Sequence, residues 1–201
     1  MSYVIVEGID GCGKDTQGDM LAAHLGDNVL RVNEPDSTLP TGRLLRQMLK
    51  DGTYVQAHAA MFLADRMAML STKVHPALAQ NRHVVSCRSW MSTLVYQQEN
   101  WPLSWLIKIH LQLPAKATHL ILLDLDAEES LRRATKRPGH NEFYEKLDIL
   151  KRNRQRYLDL ANRVVNLGRL MAHDARVVVI DATGTPDEVH ARIVEWLGAN
   201  S

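Results

Sequence analysis

The sequence predicts an α/β protein in which a five-stranded parallel sheet is flanked by helices. Two observations carry that expectation. Short apolar runs at residues 4–6, 29–32, 83–86, 119–123 and 176–180 alternate with stretches of helical periodicity, the pattern of strands joined by helical crossovers. The first run also breaks into Gly8-x-x-x-x-Gly13-Lys14 just ahead of a helical stretch, which is the strand–loop–helix context of a polyphosphate-binding loop.

The elements follow in order. Residues 4–6 form the first strand. Behind it, Gly8, Gly11 and Gly13 free the backbone, so that the N–H groups of the loop, Cys12 included, can turn inward around a polyphosphate. A helix starting at Lys14 adds its partial positive charge, and the lysine reaches the outer phosphates. Leu21, Ala22 and Leu25 give that helix one apolar face. Such a loop specifies the three-layer P-loop NTPase fold, and ligands of parallel sheets sit beyond the carboxyl ends of the strands. Those ends are Glu7-Gly8, Asn33-Glu34-Pro35, Cys87-Arg88, Asp124 and Asp181. The fully apolar runs 120–123 and 177–180 suit strands covered on both faces. Residues 56–78 predict a long helix whose apolar surface comes from Met61, Leu63, Ala64 and Met67; residues 144–172 predict another, rich in Arg and Leu. The four tryptophans read as packing residues, with Trp101 and Trp105 flanking a proline at a helix start.

A length of 201 residues suggests one domain, and 45% apolar residues are enough for its core. The net charge of +1 gives no broad footprint for nucleic acid. No apolar run approaches the ~20 residues needed to span a bilayer, and the first strand begins too close to the start for a signal peptide. Two cysteines make no disulfide framework, which points to reduced thiols in a cytoplasm.

The order of motifs resembles the thymidylate kinase family of P-loop nucleoside-monophosphate kinases over nearly the whole chain. Val6-Glu7-Gly8-Ile9-Asp10-Gly11-Cys12-Gly13-Lys14 matches that family's loop, including an acidic Asp10 that the general motif lacks. Glu34-Pro35 matches its Arg-Glu-Pro turn, and Phe62-Leu63-Ala64-Asp65-Arg66 matches a helical segment of its monophosphate site. Arg88, with Thr93, Tyr96 and Gln97, matches its Asp-Arg-Tyr…Tyr-Gln segment; residues 128–137 stand where it has a basic lid, here about 132–145; Asp181-Ala182-Thr183-Gly184 resembles the loop that cradles adenine. The resemblance implies ATP as donor, Mg²⁺, dTMP or a related deoxynucleoside monophosphate as acceptor, and a homodimer.

The roles it implies have physical reasons. Phosphoryl transfer needs positioning and charge neutralisation more than covalent chemistry. Arg66 and Arg88 would hold the acceptor phosphate, a guanidinium being able to grip it with two parallel hydrogen bonds; Arg66 could instead be a helix-surface arginine paired with Asp65. Phe62, one turn from Arg66, would stack on the base or simply pack. Thr93 would bond the base edge, and Tyr96 would lie under the sugar where a 2′-hydroxyl would sit. Asp10 would place donor, acceptor or metal. Cys12 stands where some members carry an arginine, so the transition-state cation would come from Arg132, Arg133, Lys136 or Arg137.

Three residues depart from the family pattern. Asn33 replaces an arginine, Cys87 replaces the aspartate before Arg88, and Asp15 replaces the Ser or Thr whose hydroxyl binds Mg²⁺, with Thr16 one place later. Either Asp15 is a relocated metal-side carboxylate, or it caps the helix and Thr16 meets the metal. Glu34-Pro35 and Arg88-Ser89 also fit a deoxynucleoside kinase, with Glu34 as base. A broader or non-standard monophosphate kinase and a degenerate nucleotide-binding protein complete the alternatives.

Overall fold

A computed structural model describes residues 1–110, 113, 117–136, 146–167 and 175–199. Arg137 and the expected lid tip beyond it, to residue 145, lie outside the described residues. Strands β1 (Tyr3–Glu7), β2 (Val29–Asn33), β3 (His83–Cys87), β4 (His119–Asp124) and β5 (Arg176–Asp181) pair in parallel in the order β2-β3-β1-β4-β5. This is the predicted sheet. β1 is central, with Val6 opposite Cys87 and Glu7 opposite Leu122. The Arg88 amide donates to Val6 O (3.0 Å) and the Glu34 amide to Cys87 O (3.0 Å), so the turns after β1, β2 and β3 meet at one end.

β1 is buried on both faces, and its alternating side chains enter two different clusters, as the two-residue period of a strand requires. Val4 and Val6 join Leu94, Leu106, Leu120, Leu150, Tyr157 and Ile193; Tyr3 and Ile5 join Met69, Leu70, Val74 and Ala77. The helices among the described residues are α1 (Lys14–His24), α2 (Pro40–Asp51), α3 (His58–Met69), α4 (His75–Ala79), α5 (Trp90–Tyr96), α6 (Leu103–His110), α7 (Ala127–Ala134), α8 (Leu147–Leu167) and α9 (Pro186–Gly198). Among the described residues no helix is long and apolar enough to cross a membrane.

The expected helix over 56–78 is a compound one. A 3₁₀ turn at Val55–Ala57 leads into α3, a π-helical turn at Leu70–Val74 follows, and α4 completes the run. Its inner face corrects the apolar reading: α3 buries His58, Ala59, Asp65, Arg66 and Met69, while Met67 stands 53% exposed. A charged inner face is tolerated because each charge is hydrogen-bonded. The Asp65 carboxylate accepts from the Asp36 amide (2.8 Å) and the Thr41 hydroxyl (2.7 Å), fixing the loop that follows β2. The tryptophans pack as expected: all four lie against the larger cluster, and Trp101 stacks on Trp105 (4.5 Å between centroids) across Pro102.

Candidate active site

The loop after β1 has the geometry its glycines foretell. Gly8, Gly11 and Gly13 take φ of +145°, +92° and +94°. A Cβ on Gly11 would lie 2.1 Å from the Ser130 carbonyl oxygen, so loop and α7 touch backbone to backbone. Gly13 is the left-handed N-cap of α1, and the space beside it is open. Cys12 is buried. The Lys14 ammonium folds back, donating to Ile9 O (3.1 Å) and Asp10 Oδ1 (3.4 Å). Asp15 and Thr16, next in line, are exposed.

Asp10 is the hub of a cluster that joins the loop to β3 and α5. Its carboxylate also pairs with Arg88 and accepts from the Tyr96 hydroxyl (2.9 Å). Burial alone would raise its pKa, but Arg88, Lys14 and Tyr96 outweigh burial and hold it below the usual carboxylate range. The Arg88 guanidinium lies over the Tyr96 ring (5.5 Å). Arg88 itself adopts φ +68°, a left-handed conformation rare for a residue with a Cβ.

Arg66 is placed differently from expectation. Its pairing is with Glu34 rather than Asp65, through Nε to both carboxylate oxygens (3.0 and 2.8 Å) and Nη2 to Oε2 (2.5 Å). The remaining contacts are Nη2 to Thr93 Oγ1 (3.0 Å) and Nη1 to His110 Nδ1 (3.0 Å). At 3% exposure this arginine is sunk beside Thr93. Burial raises the Glu34 carboxyl to about 6 against the pull of Arg66. Burial and the adjacent Arg66 charge push His110 down to about 2, so its ring is neutral, Nδ1 accepts, and Nε2 is buried with no partner among the described residues. Phe62 is half-buried and Gln97 buried.

On the other side, Arg132 and Arg133 both reach Glu129 (2.6 to 2.7 Å), whose carboxyl falls to about 2 under their hydrogen bonds. Arg133 also donates to the carbonyls of Ala182 (3.3 Å) and Gly184 (3.5 Å), which ties α7 to the turn after β5. That turn is closed by the Thr183 amide and hydroxyl on the Asp181 carboxylate (2.9 and 2.8 Å) and by Arg192 on the Asp181 and Thr183 carbonyls (2.8 Å each).

The three departures cluster beside α1. The Cys87 thiol donates to Lys14 O (3.0 Å) and is pushed up to about 12, chiefly by burial; Arg31 opposes the shift and the Asp15 charge adds to it. The Asp15 charge is therefore felt at the end of β3. Arg31 bonds Asn33 Oδ1 (2.5 Å) and Asp19 (3.0 Å), lacing β2 to α1.

Two features escaped the sequence reading. Arg154 of α8 grips Asp124 with two bonds (2.6 and 2.9 Å). Under Arg88, the wholly buried Glu7 carboxylate accepts from the hydroxyls of Ser89 (2.7 Å), Ser92 (2.7 Å) and Tyr157 (3.1 Å) and from the Ser92 amide (3.1 Å). A charged residue ending an apolar strand was the one sequence signal for the second.

A phosphate loop at the head of α1, Arg88 and Arg66 brought beside it from the end of β3 and from α3, and an arginine-bearing helix against the turn after β5 define a P-loop kinase of nucleoside monophosphates. The comparisons narrow this further. Residues 6–193 match the family described as thymidylate kinase, and the chain belongs to that family. A probable thymidylate kinase from Pyrococcus abyssi is 35% identical over 96% of this chain and 93% of its own length. A thymidylate kinase from Chlorobium chlorochromatii is 33% identical over 95% and 91%. A solved structure of thymidylate kinase from Candida albicans superposes with a TM-score of 0.81, covering 99% of this chain and 92% of that one; at 24% identity it speaks for the fold.

Proposed function

We propose that the site transfers the terminal phosphoryl group of ATP to dTMP, giving ADP and dTDP. An oxygen of the dTMP phosphate attacks the γ-phosphorus, and the bond to the ADP oxygen breaks. The observation that carries this reading is the convergence of Lys14 and Arg88 on Asp10, which sets a donor-phosphate cation and an acceptor-phosphate cation on one carboxylate. Gly8, Gly11, Cys12, Gly13, Lys14 and Thr16 cradle the donor phosphates. Arg88 grips the acceptor phosphate. Arg66, whose fork is already committed to Glu34, serves the base end with Thr93 and Phe62 instead of sharing the phosphate. Tyr96, anchored on Asp10, underlies the sugar and disfavours a 2′-hydroxyl, with Gln97 behind it. Ala182 and Thr183 face adenine, while Arg132, Arg133 and Arg137 bring cationic charge over the phosphates.

The donor set of Asp15 and Thr16 fits Mg²⁺: hard oxygens, exposed, at a helix start where nucleotide phosphates complete the shell. When bound, the ion neutralises charge between the donor phosphates. The exposed Leu44 of α2 and Met67 of α3 are apolar side chains that a homodimer would cover. Two free buried cysteines suit a reducing cytoplasm.

A nucleoside kinase would need Glu34 free as a base, whereas here it is 5% exposed and bound by Arg66. The deciding experiment incubates the enzyme with ATP, Mg²⁺ and a panel of nucleosides and monophosphates, read by product mass. dTDP from dTMP is expected; product from unphosphorylated nucleosides alone would overturn the assignment.

A further inference from the structure

Beneath the site lies a charge with no task in the transfer itself. Glu7 ends β1 fully buried, and its four hydrogen bonds come from three hydroxyls and one amide. Burying a carboxylate is costly, and a neutral amide could fill the same space. A carboxylate differs in one respect: it only accepts, so a hydroxyl bonded to it, as that of Ser89 is, must donate.

The consequence falls on Ser89. Its hydroxyl gives its proton to Glu7 Oε1, and its oxygen is then turned to accept from the Met91 amide (3.3 Å) as the N-cap of α5. The Ser92 amide, in the same first turn, is held by the same oxygen of Glu7. The residue before this cap is Arg88, left-handed at φ +68°. A left-handed arginine is strained and persists only where its surroundings over-determine it. Three constraints surround it: its amide on Val6 O, its carbonyl accepting from Ser86 Oγ (3.0 Å), and the Glu7-held cap that follows. The first two tie the peptides on either side of Arg88 to β1 and β3, and Glu7 holds the cap that follows them. We propose that Glu7 is the positioning residue that holds Arg88 in its left-handed backbone conformation and so aims its guanidinium at Asp10 and the acceptor phosphate.

This rests on the reading of Arg88 as the acceptor-phosphate cation, and the experiment separates the two. Four enzymes are compared: wild type, Glu7→Gln, Arg88→Ala and the double variant, each with KM for dTMP, KM for ATP, kcat and thermal midpoint. Glu7→Gln keeps the shape of the side chain but can donate. It should lower kcat/KM for dTMP roughly ten- to a hundredfold, the scale of a misaimed catalytic group, with KM for ATP within about twofold. In the Arg88→Ala background the same change should have no further effect on kcat/KM, because residues acting through one another do not add. A lowered thermal midpoint with kinetics unchanged would make Glu7 a packing residue and overturn the proposal. So would a full additional loss in the double variant. Unchanged kinetics for Arg88→Ala alone would sink the underlying assignment instead. Should Glu7→Gln not fold, Ser89→Ala removes the cap link while keeping the carboxylate, and the same pattern of loss and non-additivity is required of it.

Discussion

The two halves of the site are held in opposite ways. On the acceptor side, Arg66 and Glu34 are each 3% exposed at the side chain and locked in a bidentate pair, and Asp10 joins Arg88, Lys14 and Tyr96. On the donor side, Arg132 (57% exposed) and Arg133 (28%) lean on a Glu129 that is itself 29% exposed. Separating a buried pair strands a desolvated charge, whereas an exposed pair contributes ~0.2–1 kcal/mol and re-forms readily. The acceptor half is thus a fixed mould. The half proposed for the donor holds its arginines on partners that release them cheaply, which would suit groups that rearrange when ATP binds.

The largest expected effect breaks the hub between the halves. Lys14→Ala should lower kcat about a thousandfold with the circular dichroism spectrum unchanged, since a preorganised donor at developing phosphate charge is worth that order. A loss under tenfold would remove Lys14 from the transition state. Next, Arg66→Ala should destabilise the fold by about 3 kcal/mol, read as a shift in the denaturation midpoint, because it leaves Glu34 buried and unpaired. Arg132→Ala is the matched probe on the donor side and should shift stability by no more than about 0.5 kcal/mol. Equal shifts for the two would erase the contrast. Asp15→Ala should then raise the Mg²⁺ concentration for half-maximal activity several-fold and lower kcat, with Asp15→Ser retaining part of the function. An unmoved titration would leave Asp15 as a first-turn acid favoured by the helix dipole and hand the ion to Thr16.

The smallest effect is a pH dependence. Asp10 has a folded-state pKa below its unfolded value, so the folded chain binds fewer protons than the unfolded one as pH falls through the ordinary carboxylate range. Its contribution is present above that range and is lost as pH falls through the depressed value. The difference in thermal midpoint between wild type and Asp10→Asn should therefore shrink steadily on acidification below about pH 4. A difference that stays flat would show that the Asp10 charge adds nothing to the fold.

What could be read from the sequence follows from how local each signal is. Loop, lysine and helix start sit within a dozen residues, and positive φ admits glycine above all, so that region was legible throughout. The strands were legible because a parallel sheet buries both faces and leaves unbroken apolar runs. The inner face of α3 was misread: apolar periodicity nominated Met67, yet the fold turns Asp65 and Arg66 inward, since their partners Asp36, Thr41, Glu34 and Thr93 come from other elements. The π-helical turn at Leu70–Val74 has no composition of its own to betray it, although it lies where Lys73 reaches Asp36 (2.6 Å). The Glu7 network was hidden because Tyr157 stands 150 residues from Glu7, and no spacing rule links them.

The Cys87 contact also restricts which side chains its neighbours can carry. The Cys87 thiol donates to the Lys14 carbonyl, and a Cβ on Gly18 would come within 2.5 Å of that sulfur. An aspartate returned to position 87 would set a carboxylate oxygen against that carbonyl, two acceptors with no proton between them. A side chain at position 18 would be blocked by the sulfur and by Arg31, whose Nη2 lies 2.8 Å from the same Cβ position. Cys87, Gly18 and Lys14 are thus packed to one another, and a change at any one of them strains the others.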